Sequence, residues 1–268
     1  MNDSAAPDPS KPRPRVASTA RAPKLRIEIV RTAALSPADW DELWQLTDTF
    51  YDTDRGYAQA RLRQHQQTVL VRSGADGRLV GTASINVHHV VFHDRIVAAI
   101  YTTHVLLRPE VRGRNLIQRI GFRTFLSERL RHPGRPIWWF FDTFSYKSYL
   151  LLPRNFREYW PRFDAPTPAR EQALMHQLAA QVYGPDWRPD KGIVVSSGRK
   201  RLRAATAPLE PGSHDNPDLA FFARVNPGHA DGDMLVCLCP LSAANWLSAG
   251  MRAMWRALRR ASAHEPVR

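Results

Sequence analysis

The chain predicts a mixed α/β fold: a sheet with helices packed on it, followed by a C-terminal extension. Three observations point there. Stretches such as "KLRIEIVRTA" alternate apolar and polar residues at the period of a half-buried strand. Others, such as "SPADWDELWQLTDTFY", repeat at helical spacing behind an N-terminal signal. Between such segments, "IWWFFDT" is a short continuous apolar run, as in a strand covered on both faces. At 268 residues, 43% of them hydrophobic and 8 of them Trp, the chain can build a real core.

In order along the chain, residues 1–23 are rich in Pro, Ala and Ser and lack an apolar centre. They read as a disordered basic tail, not as a secretory signal. Leu25, Ile27 and Ile29 share one face of a first strand. A helix follows, with Ser36 as N-cap, Pro37 at the first position, Asp39, Asp41 and Glu42 at the positive end, and Trp40, Leu43, Trp44 and Leu46 as its stripe. "GYAQARLRQHQ" suits a second helix. Three strands are expected over 67–72, 78–90 and 95–108, joined by turns at "GADGR" and "FHDR". A helix runs from about Asn115 to Arg131, with Leu116, Ile120, Phe122, Leu126 and Leu130 as its buried face, and "HPGRP" ends it.

After the buried strand 137–143, "SYKSYLLLPRNF" suits a short helix ending near Pro153. "TPAREQALMHQLAAQVYG" reads as a helix capped by Thr167, with Pro168 in its first turn and Gly184 at its end. "LAFFARVNPGHADGDMLVCLCPL" supplies late strand material. The last helix, "SAANWLSAGMRAMWRALRRA", has Leu247, Met251, Met254, Trp255 and Leu258 on one face, bordered by Arg252, Arg256, Arg259 and Arg260. It either docks on its own domain or lies on a membrane surface. The organisation expected is a tail over 1–23, a core over 24–164, a helical and loop-rich extension over 165–240 that completes the sheet, and a basic amphipathic end over 241–268.

Cys237 and Cys239 lie one residue apart on the same side of a strand and read as small buried hydrophobes; no metal site is expected. Low cysteine use fits a reducing cytoplasm, and no run approaches the roughly 18 apolar residues of a spanning helix. The net charge of +13 favours acidic partners of several kinds, although no specific nucleic-acid motif is visible.

The stretch "RPEVRGRNLIQRIG" carries the chemistry. A strand ends at Pro109, Arg112, Gly113 and Arg114 turn the chain, and a helix starts with its free amides facing back. Such a turn is an anion site, and the arginines beside it can pair with phosphates. The segment "VLLRPEVRGRNLIQRIGFRTFL", with the order strand, two helices, three strands, Arg-Gly loop, helix, buried strand, helix, strand, resembles the GNAT superfamily of N-acyltransferases. The order covers residues 25–160 and the specific motif about 105–121. Asn115 and Ile117 stand where the family pattern has Gly and Gly or Ala. Asn115 can adopt left-handed dihedrals or cap the helix. Ile117 either crowds the backbone that meets a diphosphate or faces the core.

The resemblance implies a mostly antiparallel central sheet with helices on both faces, opened where the strand before the loop splays from its parallel neighbour. It implies acetyl-CoA or a longer acyl-CoA as acyl donor, its arm along His104, Val105, Leu106 and Leu107 and its diphosphate at Arg112, Gly113, Arg114, Asn115 and Leu116. The acceptor would be an amine on a small molecule or protein. An acidic acyl-carrier protein is the alternative donor, and "RKRLRAA" at 199–205 either grips an acidic partner or is a solvated basic loop. The aromatic run before Phe144 lines an acyl tunnel or fills the core. His104 is the candidate general base, with His88 and His89 behind it. The usual tyrosine position falls on Leu151, which leaves Tyr146 and Tyr149 as candidate acids. An inactive GNAT-like binding protein and a basic protein acting at nucleic acid or membrane are the competing functions.

Overall fold

The structure, a computed structural model, describes residues 24–203 and 216–262. The predicted tail, residues 204–205 of the basic stretch and the last six residues lie outside them.

β1 (Leu25–Arg31), α1 (Pro37–Phe50), a short β2 (Tyr51–Thr53) and α2 (Arg55–Arg63) come first. Ser36 caps α1 in a full capping box: Asp39 N donates to Ser36 Oγ at 3.2 Å and Ser36 N donates back to Asp39 Oδ2 at 3.0 Å. β3 (Gln67–Ser73), β4 (Leu79–Phe92) and β5 (Arg95–Leu107) follow as a meander. His93 and Asp94 both have positive φ, 45° and 58°, the twist a two-residue hairpin needs. Then come α3 (Leu116–Arg131) and β6 (Ile137–Thr143). The expected short helix after β6 is two pieces, α4 (Tyr146–Tyr149) and α5 (Leu151–Asn155).

α6 (Ala169–Tyr183) starts at Ala169. Pro168 is extended there (ψ 150°) and holds the cap position without a side-chain bond, so Thr167 is not the cap. β7 (Trp187–Arg188), β8 (Ile193–Val194), β9 (Lys200–Leu202), α7 (Pro217–Val225), β10 (Met234–Pro240) and α8 (Ala243–Ser262) complete the described chain. The segment "LAFFARV" is therefore helix, not strand. Asn216 accepts from the amides of Asp218 and Leu219, and Pro217 opens the first turn.

The sheet has the order β1-β3-β4-β5-β6-β10-β8-β7, with β2 and β9 forming a separate ribbon. β5 and β6 are parallel, and every other neighbouring pair in it is antiparallel. Helices cover both faces. Leu116 and Ile120 of α3, Leu152 of α5 and Phe222 of α7 pack with Ile100, Ile137 and Phe141 on one face, called here the α3 face. On the other, the α1 face, Leu174 and Leu178 of α6 meet Tyr101 and Phe140, while Leu43 and Leu46 of α1 meet Leu70 and Leu106. Arg72 of β3 ties α1 down through Asp39 at 2.6 Å and Glu42 at 2.5 Å. Cys237 and Cys239 are free and fully buried in the α3-face core. Contrary to expectation, Phe122, Leu126 and Leu130 of α3 are exposed; Leu116 and Ile120 carry its contact with the sheet.

Candidate active site

The ladder between β5 and β6 runs from Ala98 opposite Ile137 to Thr102 opposite Phe141 and then stops. Both strands continue, so β5 from Thr103 to Leu107 has no ladder partner on β6. A bulge sits at this point. Thr82 pairs with Leu106 and Ser84 with Thr103, which leaves His104 and Val105 together opposite Ala83. His104 takes up the extra residue with φ 50°, a left-handed conformation uncommon for a side-chain-bearing residue. The bulge sends Val105 to the α3 face and His104 to the α1 face.

A cavity of about 620 Å³ opens on the α3 face. Ile100 and Val105 of β5, Trp139 of β6, Asn115 and Ile117 at the start of α3, and Phe156 wall it, and α8 closes its far side with Trp246, Ala249 and Gly250. Gly113 (φ 75°) and Asn115 (φ 54°, ψ 30°) turn the chain into α3 through left-handed conformations. Asn115 does so without a side-chain cap. The first bond of α3 is Arg119 N to Asn115 O at 3.0 Å, so the amides of Leu116, Ile117 and Gln118 precede it and are left for an outside acceptor. Ile117 is half-buried in the cavity wall. Leu116 is in the core. Arg112 holds the turn: its Nε donates to Leu107 O at 3.0 Å and its guanidinium lies 5.8 Å from the Phe50 ring.

A smaller cleft of about 50 Å³ lies on the α1 face. Trp40 and Trp44 of α1 wall it, with His104, Leu106, Asp142 and Lys200. Asp142, at the end of β6, accepts from Tyr101 Oη at 2.8 Å, Tyr183 Oη at 2.5 Å and Thr103 Oγ1 at 3.2 Å. Lys200 turns in from β9, its Nζ 4.1 Å from the centre of the Tyr51 ring. Burial pulls its ammonium down to about 8, against the attraction of Asp142. The neighbouring cations are paired instead: Arg199 with Asp186, Arg201 with Asp52 and Arg203 with Asp48. Lys200–Leu202 of the basic stretch is strand, and Arg199, Arg201 and Arg203 are exposed in these pairs.

His104 is desolvated, and Lys200, His65 and Arg61 add to the effect, so its imidazole is held well below the usual range and stays neutral near pH 7. Its Nδ1 is buried with no partner. The His65 ring stands 5.2 Å away, with neither nitrogen bonded. His88 packs 6.0 Å from Tyr101 on the same face, while His89 points the other way, its Nε2 2.6 Å from Glu128 Oε1 of α3. The candidate acids are not brought here. Tyr149 is fully buried, donates to Pro161 O at 3.1 Å and has its hydroxyl pushed far up by burial. Tyr146 packs against the α3-face core, and neither tyrosine lines either cavity.

Of the expected residues, Val105 and Asn115 meet at the large cavity, and His104 and Leu106 at the cleft. The reading of the sequence missed Asp142, Lys200 and His65. For Asp142 there was a signal: a carboxylate directly ending an otherwise apolar buried strand.

No protein-family model and no curated protein matches the chain. Solved structures are similar to it at low overlap. An acetyltransferase from Trypanosoma brucei is 21% identical, with 54% of this chain and 100% of that one covered, at a TM-score of 0.36. A conserved protein of unknown function from Enterococcus faecalis V583, described as a probable N-acyltransferase, is 13% identical over 82% of this chain and 66% of its own, also at 0.36. The GNAT family N-acetyltransferase YhbS from Escherichia coli, in complex with CoA, is 12% identical over 46% of this chain, at 0.33. The chain spans 64% of the length of YhbS and 14% of a fungal multi-domain β-N-acetylglucosaminidase with a GCN5-related glucosamine N-acetyltransferase region. The fold is legible in this chain's own strand order. A mostly antiparallel sheet with helices on both faces, opened between its parallel strands beside an Arg-Gly turn, is the arrangement expected from the resemblance.

Proposed function

We propose that the protein is an N-acyltransferase that moves an acyl group from an acyl thioester to an amine. The observation that carries this is the opened ladder between β5 and β6, with a large cavity on one face and a cleft containing a neutral histidine on the other. The donor, acetyl-CoA or a longer acyl-CoA, would lie in the α3-face cavity with its arm along the unpaired edge of β5. Its diphosphate would take the free amides of α3 and the arginines of the turn. A backbone amide on the unpaired edge of β5 would polarise the thioester carbonyl.

The acceptor amine would enter from the cleft. Its nitrogen attacks the carbonyl carbon, the C–N bond forms, the C–S bond breaks, and the thiolate leaves with the electron pair. The proton lost by nitrogen goes to His104. Asp142, held by three hydroxyls, offsets the positive charge gathering among His104, Lys200 and Arg61. The thiolate needs no tyrosine to leave.

The test is to incubate the protein with acetyl-CoA, longer acyl-CoAs and acyl-carrier protein, with and without a panel of amines, and to follow binding by calorimetry and thiol release. Binding with amine-dependent thiol release is the expected result. Binding without release under any amine would leave a ligand-binding protein, and no binding of any donor would sink the thioester reading. Arg112→Ala should weaken donor binding about ten-fold; unchanged affinity would place the diphosphate elsewhere.

The pH profile offers a further check. Lys200 loses its proton at about 8, and its charge opposes a second one on His104. Turnover should therefore climb as the pH is raised through about 8, and Lys200→Met should remove that inflection.

A further inference from the structure

We propose that the outer face of α8, with the adjoining row on α3, docks on an anionic lipid surface. This does not rest on the acyl-transfer reading.

Leu247, Met251, Met254, Trp255 and Leu258 recur at helical spacing along α8, and each is between 47 and 66% exposed. Phe122, Leu126 and Leu130 form a second exposed row on α3, Leu130 at 72%. The Phe122 ring sits 5.1 Å from that of Trp246, so the two rows adjoin. A contiguous apolar surface on this scale marks a contact site.

The charges say what kind. Residues 243–262 contain Arg252, Arg256, Arg259 and Arg260 and no Asp or Glu. Arg252 hydrogen-bonds to Pro153 O of α5 and stays exposed at the border of the apolar row, as Arg259 does, while Arg256 lies on the cavity side and bonds to Arg154 O and Asn155 Oδ1. On α3, Arg119 and Arg123 are exposed and the acid, Glu128, is buried. An apolar row flanked by arginines suits headgroup phosphates over acyl chains.

Other occupants fit less well. The segments outside the described residues contain, as large apolar side chains, only Met1, Val16, Leu209 and Val267, too few to cover eight. A second copy laid stripe to stripe would bring two arginine rows together with no acid on either helix. Among the described residues no helix is long and apolar enough to cross a membrane, so α8 would lie in the interface.

The test is co-sedimentation of the full chain with phosphatidylcholine vesicles, with and without phosphatidylglycerol. Strong binding to the anionic vesicles and weak binding to the neutral ones is expected. The exposed double change Met251→Glu with Trp255→Glu should lower the partition coefficient at least about ten-fold without moving the thermal melt. Brominated lipid gives a second readout: quenching of tryptophan emission should be smaller in Trp255→Phe than in the unchanged chain. Three results would each overturn the proposal: no sedimentation with anionic vesicles, equal quenching in Trp255→Phe, or a dimer in solution that the double change dissolves.

Discussion

His104→Asn is expected to lower turnover by about 10²- to 10⁴-fold while donor affinity changes by less than about two-fold. Asparagine is chosen because it accepts the left-handed backbone that the bulge imposes at this position, φ 50°. It therefore removes the imidazole and leaves the strand edge in place. Alanine would confuse loss of the base with relaxation of the bulge. The prediction separates two roles that coincide at one residue. If His104 only shapes the bulge, Asn should retain most activity. If it takes the proton, Asn should fail with the donor still bound. Calorimetry with the donor and initial rates with the best amine measure the two quantities. Retained turnover would remove His104 as base and turn attention to Lys200.

The second large effect is on stability. His65 is buried with both ring nitrogens unpaired, and burial, helped by Arg61, Lys200 and His88, lowers its imidazole from 6.5 to about 4. In the unfolded chain the same group takes a proton near 6.5. Between these values the unfolded state binds a proton that the folded state refuses, so stability falls as the pH is lowered. The contribution is fully present above about 6.5 and gone below about 4, and its size is about 3 kcal/mol. His88 and His104 are shifted in the same direction and steepen the slope. Urea melts at intervals from pH 7.5 to 4.5 should show the decline. His65→Leu should flatten it and cost little at pH 7.5, because it removes two buried atoms that lack partners. A slope unchanged by that substitution would assign the acid sensitivity to other groups.

Local patterns were legible wherever a single segment contained its own instruction. The capping box at Ser36, the meander of β3, β4 and β5, and the buried β6 follow from alternation, caps and turns within a few residues of one another. What faces an apolar stripe is not in that stripe. Phe122, Leu126 and Leu130 have helical spacing, but whether they meet a sheet or solvent depends on where α8 comes to rest. α7 was legible too, since Asn216 and Pro217 repeat the signal of Ser36 and Pro37. Strand was expected there instead.

The site was half legible. The Arg-Gly turn is contiguous in sequence, so its anion logic could be read directly. The cleft brings together His104, Asp142 and Lys200, with the His65 ring beside His104, residues on four segments that only the folded sheet and the β2–β9 ribbon bring near one another. The bulge at His104 had no glycine to announce it.

The break between β5 and β6 passes through the thickness of the sheet, with chambers on opposite sides. If a donor and an acceptor react there as proposed, each would have its own door, and neither would need to depart before the other arrives. Under the proposed reading, a change in one chamber, such as at Ile117, would alter the donor's side and leave the acceptor's doorway as it is.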